Sequence, residues 1–155
     1  MARILVIYDT KHGNTKLVTE KIIEGKKKVE GTETSIIDVE DVEPEQLTDA
    51  DAIVIGEPNH FGGPTRIIRK MIDSLGKLNV KAKGIAVFDT YAGGNFEKAV
   101  KKMEKRINEK IPGLPLITSG LSIRVDGMKG PIAGGELPKC DDFGKKIANQ
   151  LNKKS

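Results

Sequence analysis

The sequence predicts a doubly wound α/β domain, a three-layer sandwich with a five-stranded parallel sheet between two layers of helices. Two observations carry this expectation. Five short apolar, β-type runs alternate along the chain with stretches of helical periodicity, the pattern of repeated strand-helix-strand crossovers, each returning right-handed over the sheet. One of these runs, Ala52-Ile53-Val54-Ile55, is apolar at every position, as expected of a strand buried on both faces.

The elements follow in order. Arg3 to Tyr8 is a continuous β-type run, and Asn14 to Glu30 places Leu17, Val18, Ile22 and Ile23 on one side of a helix that Gly25 weakens without ending. Glu33 to Val39 makes a second strand, Pro44 to Leu47 a short helical turn, and Ala52 to Ile55 the third strand. Pro64 suits the first turn of a helix carrying Ile67, Ile68, Met71, Ile72 and Leu75. Gly84 to Phe88 is a fourth strand, and Asn95 to Ile111 a helix with Phe96, Val100, Met103 and Ile107 inward. Leu116 to Val125 supplies the fifth strand and Pro138 to Leu151 the last helix, with Phe143, Ile147 and Leu151 inward. Residues 1–155 are thus expected to form one domain, long enough for a full core.

Composition narrows the function. No apolar run approaches the roughly 18 residues of a membrane span. Arg3 leads directly into Ile4-Leu5-Val6-Ile7, too short for a signal-peptide core, so the expected compartment is the cytoplasm. The single cysteine, Cys140, permits no internal disulfide and reads as a helix residue without chemistry. No His/Cys spacing suits zinc, and no calcium loop is present. The net charge of +4 comes from lysines interleaved with glutamates on helical faces. With four Phe, two Tyr and no Trp for base stacking, nucleic acid is disfavoured, and acidic protein partners are the interaction this charge admits.

In a doubly wound sheet, ligands bind beyond the carboxyl ends of the strands, so the loops after strands one, three and four are the candidate site. The first, Thr10-Lys11-His12-Gly13-Asn14-Thr15, is neither a Gly-x-Gly-x-x-Gly nor a Gly-Lys-Ser/Thr motif. It offers two hydroxyls, an amide and backbone N–H groups converging on a helix N-terminus, which describes a phosphate seat. A helix cap alone would use the same Asn14 or Thr15. The second loop, "GEPNHFGGPT", and the third, "FDTYAGGN", each join an aromatic to a glycine pair: Phe61 with Gly62-Gly63, and Tyr91 with Gly93-Gly94. Backbone can then approach a flat ligand, though glycine pairs are also turn material. His12 and His60 are the only histidines, and both fall in these loops as candidate ligand-lining groups.

With these three loops in place, the chain resembles the flavodoxin-like FMN-binding family over essentially its whole length, from the Thr-x-x-Gly-Asn-Thr loop through "DADAIVIGEPNHFGGP" to "AVFDTYAGGN". It is similar to short flavodoxins and to the flavodoxin domain of A-type flavoproteins. The resemblance implies strand order 2-1-3-4-5. It implies that Thr10, Lys11, His12, Gly13, Asn14 and Thr15 hold the FMN phosphate. Pro58, Asn59, His60, Phe61, Gly62 and Gly63 would line the ribityl chain and the N5 side of the ring, and Thr90, Tyr91, Ala92, Gly93 and Gly94 its pyrimidine and outer face. Without Trp, the aromatic sandwich of the family reduces to Phe61 and Tyr91, and Glu57 stands where the family often has a small hydroxyl residue.

The implied function is an electron carrier between redox partner proteins, in which the flavin performs the redox chemistry. The other enzymatic reading is an NAD(P)H-dependent quinone or flavin reductase of the same fold, although such enzymes tend to be longer. A receiver or interaction module without flavin would need an Asp at the end of strand three, where Gly56-Glu57 stands. The loop Val125 to Lys139, with four glycines, reads as a mobile surface connection near the flavin edge, where Met128, Lys129 and Ile132 would meet a partner or cover the ring.

Overall fold

The computed structural model describes residues 2–10, 13–58, 63–127 and 129–154, with residues 153 and 154 as backbone alone. Its five strands are β1 (Ala2–Tyr8), β2 (Thr32–Asp38), β3 (Ala52–Pro58), β4 (Gly84–Tyr91) and β5 (Leu121–Arg124). They form one sheet, all parallel, in the order β2-β1-β3-β4-β5. The helices are α1 (Asn14–Lys27), α2 (Pro44–Asp49), α3 (Arg66–Leu75), α4 (Lys98–Lys110) and α5 (Leu137–Lys154), with a 3-10 turn at Val39–Asp41. The doubly wound sandwich expected from the sequence is what forms.

Strand parity divides the core into two layers. Leu5, Ile7, Ile53, Ile55, Ile85 and Val87 point to one face, where Leu47, Ile68, Ile72, Met103 and Ile107 of α2, α3 and α4 cover them. Ile4, Val6, Val54, Ala86 and Phe88 point to the other, beneath Val18 and Ile22 of α1 and Phe143 and Ile147 of α5. No helix among the described residues is long and apolar enough to cross a membrane.

The α1–α5 layer is held at close range by a glycine. A Cβ placed at Gly144 of α5 would lie 2.0 Å from the Ile22 carbonyl oxygen of α1, so only a bare backbone lets these two helices meet. Gly25 behaves likewise against Asp141, which explains a glycine inside α1 better than helix weakening does. Cys140 is buried in this layer, and burial pushes its thiol up to about 12, which leaves it an apolar core residue.

Several expectations shift. α1 stops at Lys27 rather than Glu30, and Leu17 is 39% exposed instead of inward, because Thr15, Val18, Thr19 and Ile22 take the face toward the sheet. α4 begins at Lys98, so Phe96 lies outside the helix and is 55% exposed, not inward. The long fifth strand reduces to Leu121–Arg124 plus one bridge between Leu116 and Ile85.

Candidate functional site

β1 has β2 on one side and β3 on the other, and the chain reaches them over opposite faces, through α1 and then through α2. In a doubly wound sheet, the carboxyl edge between two such strands is where ligands bind. Of the predicted site residues, Thr10, Gly13, Asn14, Thr15, Pro58, Gly63, Thr90, Tyr91, Ala92, Gly93 and Gly94 are described, and they belong to the ends of β1, β3 and β4 or to the loops and helix start that follow. Lys11, His12, Asn59, His60, Phe61 and Gly62 lie outside the described residues, as does Met128.

The turn after β1 is built around Gly13, which caps α1 at φ 84°, a left-handed conformation that glycine adopts without strain. Its N–H donates to Thr10 Oγ1 at 3.0 Å, closing the turn. Among the described residues no side chain caps α1, and its first turn holds no acid. The first N–H groups of the helix thus have no intrahelical acceptor, and the positive end of the dipole is uncompensated. Thr15 is nearly fully buried, and its hydroxyl lies 3.3 Å from that of Thr90, tying this turn to the end of β4 across 75 residues of sequence. A Cβ at Gly13, Gly93 or Gly94 would meet nothing within 4 Å among the described residues.

The loop after β5 also reaches this corner. Gly130 sits against Asn14, since a Cβ there would lie 2.6 Å from Asn14 Oδ1. It doubles back on itself: Val125 bridges Ile132, and Asp126 N–H donates to the Pro131 carbonyl at 2.8 Å.

Beneath this edge, three carboxylates at the ends of β1, β3 and β4 face the α3–α4 side. Glu57 turns to the start of α3, where its Oε2 accepts from Thr65 N–H at 2.7 Å, while Thr65 Oγ1 donates to Asp9 Oδ2 at 2.8 Å. The strands thereby cap a helix that lacks a side-chain cap of its own. Glu57 is fully buried, and its Oε1 has no partner among the described residues. Burial pushes its carboxyl up to about 9; the Thr65 N–H opposes this, and the charges of Asp89 and Asp9 add to it. Glu57 is therefore a neutral acid at pH 7, and no lysine among the described residues pairs with it.

Asp89 performs the same task for α4. It accepts from Ser122 Oγ and from Val100 N–H at 3.1 Å, and Ser122 Oγ in turn accepts from Glu97 N–H at 3.0 Å. Burial raises Asp89 to about 6, against the pull of these donors. Sequence reading passed over Asp9, Thr65, Asp89 and Ser122. The signal was present, since positions 9, 57 and 89 continue the parity of buried residues 7, 55 and 87 on one face, but the partners of these acids lie on other elements.

Comparison with known proteins finds the same fold. Residues 5–115 match the flavodoxin domain. The chain belongs to that family. For flavodoxins, a ligand at the β1/β3 switch point is a standard example of the doubly wound sheet. A flavodoxin of Aquifex aeolicus is 34% identical over 101 residues, 61% of this chain and 55% of that protein, so the match spans about half of that relative's length. Among solved structures, Flavodoxin 2 from Bacillus cereus superposes with a TM-score of 0.79 at 24% identity, covering 96% of this chain and 99% of that one. The Flv1 flavodiiron core from Synechocystis gives 0.78 at 18% identity, over 99% of this chain and 37% of that one. At these identities the superpositions speak for the fold.

Proposed function

We propose that this flavodoxin domain binds FMN and carries electrons between redox proteins, one of them acidic. The observation that carries the reading is the start of α1, a helix end that no described side chain caps and whose first turn holds no acid, met by Thr90 at the end of β4 and by Gly130 of the loop after β5. It suits a terminal phosphate, for which Thr10, Gly13, Asn14 and Thr15 would supply hydroxyl, amide and backbone donors. Bound FMN would supply the redox chemistry at its ring. The chain's part is to seat and orient the ring: Gly93 and Gly94 leave room for close approach, and Tyr91 offers an aromatic face held edge-on by Phe96, with ring centres 5.4 Å apart. Lys11, His12, Pro58, Asn59, His60, Phe61, Gly62 and Gly63 complete the proposed lining.

Titration of the purified chain with FMN and with riboflavin, followed by visible absorbance, tests this reading. One FMN per chain is expected, bound more tightly than riboflavin; equal affinities would remove the phosphate seat. Rapid NADH or NADPH oxidation by the loaded protein alone would favour the reductase.

A further inference from the structure

Charge is divided unevenly over this molecule. Between Asp38 and Asp51 the chain carries seven carboxylates and no lysine or arginine. α3 and α4, which lie side by side on one face of the sheet, carry nine basic residues against three acidic ones, a surplus of six in a chain whose net charge is +4. Internal contacts use up part of the negative charge. Asp73 is engaged twice by Arg106, through Nε at 2.8 Å and Nη2 at 2.7 Å, and Glu104 accepts from Gly120 N–H. By contrast, Arg66, Arg69, Lys98, Lys101, Lys102 and Lys105 are exposed and form no ion pair among the described residues.

This charge is concentrated toward the candidate site. Arg66 and Lys98 open their helices, so both add to the positive end of a dipole, and neither first turn holds an acid. The Lys102 side chain lies along Gly63, with its Nζ 3.5 Å from where a Cβ would stand. Phe96, more than half exposed, sits immediately before α4 and packs edge-on against Tyr91. An exposed aromatic just ahead of a helix whose first turns carry cations without an ion pair among the described residues is the composition of a binding surface with an apolar anchor and a charged rim.

We propose that the N-terminal turns of α3 and α4, with Phe96 as anchor, are the docking surface for an acidic electron-transfer protein. The proposal rests on the carrier reading. Complementary charge favours encounter in the orientation that brings the partner to Phe96 and Tyr91, next to the loops assigned to the flavin. Nucleic acid would also be drawn to these cations, but the single exposed aromatic among the described residues gives it little to stack on. A second copy of the chain could present its acidic segment, residues 38–51.

The FMN-loaded full chain is mixed with an acidic [2Fe–2S] ferredoxin as probe, and binding is measured by calorimetry at low and high salt, with carbodiimide cross-links located by mass spectrometry. The expected result is salt-sensitive binding, cross-links on the lysines of α4, and a loss of about tenfold or more in affinity for K98E/K101E/K105E. FMN affinity of that triple variant is expected to equal wild type, and F96A is expected to weaken the probe on its own. Unchanged probe affinity in the variants, no binding at low salt, cross-links confined to α1 and α5, salt-sensitive self-association abolished by the triple variant, or tighter binding of a single-stranded oligonucleotide would each overturn the surface. Failure of wild type to bind FMN would instead overturn the carrier reading, so the two are separable.

Discussion

Glu57 and Asp89 are neighbours in the β3–β4 register, and both side chains are completely buried. Neighbouring carboxylates in a dry site do not both ionise readily, and here Glu57 keeps its proton while Asp89, better supplied with donors, gives its proton up first. An unfolded glutamate titrates near 4.5, whereas folded Glu57 holds its proton to about 9. The folded chain thus carries a proton that the unfolded chain has lost between these values. Its contribution to stability is greatest below the lower value and falls as pH rises toward the upper one. Glu57→Gln keeps an acceptor for Thr65 N–H and removes the titration, so its stability relative to wild type is expected to improve by about 1 kcal/mol or more between pH 5 and pH 8. Urea unfolding at both values checks this. An offset that is the same at the two pH values would mean that Glu57 is not a buried neutral acid.

Asp89→Ala leaves the Val100 N–H without its acceptor and the Ser122 hydroxyl without its carboxylate, both in a buried corner. The expected cost is about 1–3 kcal/mol. Ser122→Ala is expected to couple to it, because the two residues serve one network that fixes the start of α4. A double-mutant cycle that is additive within about 0.5 kcal/mol would show that they act separately.

Gly144→Ala forces a methyl group to within 2.0 Å of the Ile22 carbonyl oxygen, so α5 must move off α1. A loss of about 1–3 kcal/mol is expected in thermal or urea unfolding. Gly134→Ala, whose new Cβ meets nothing within 4 Å, is the control and is expected to be close to neutral. Equal effects of the two would indicate a change in helix propensity or chain entropy rather than a steric limit.

Thr15→Val is nearly isosteric and removes a hydroxyl at the start of α1. FMN is expected to bind less tightly by about 1–3 kcal/mol if that hydroxyl serves a phosphate, and Thr15→Ser is expected to restore most of the affinity. If fluorescence titration shows equal dissociation constants for wild type and valine, Thr15 only pairs with Thr90 in the core.

The layers of this molecule and the places where its loops cluster were legible in the sequence, because both depend on local patterns. Strands such as Ile53 to Ile55 announce themselves by continuous apolar character, and turns such as the one at Gly13 by residues that tolerate unusual backbone. Periodicity also located most of the core, yet it misplaced Leu17 and Phe96. A helical stripe shows which residues could face inward, but where the helix starts and how it rolls on the sheet decide which ones do. The anchoring of the helices lay further out of reach. Thr65 meets Asp9 from 56 positions away, Ser122 meets Asp89 from 33, and Thr15 meets Thr90 from 75. The charge of Glu57 could not be read from the sequence at all, since a carboxyl keeps or loses its proton according to the water it has lost and the donors and charges around it, and those arrive only when distant strands and helices close over it.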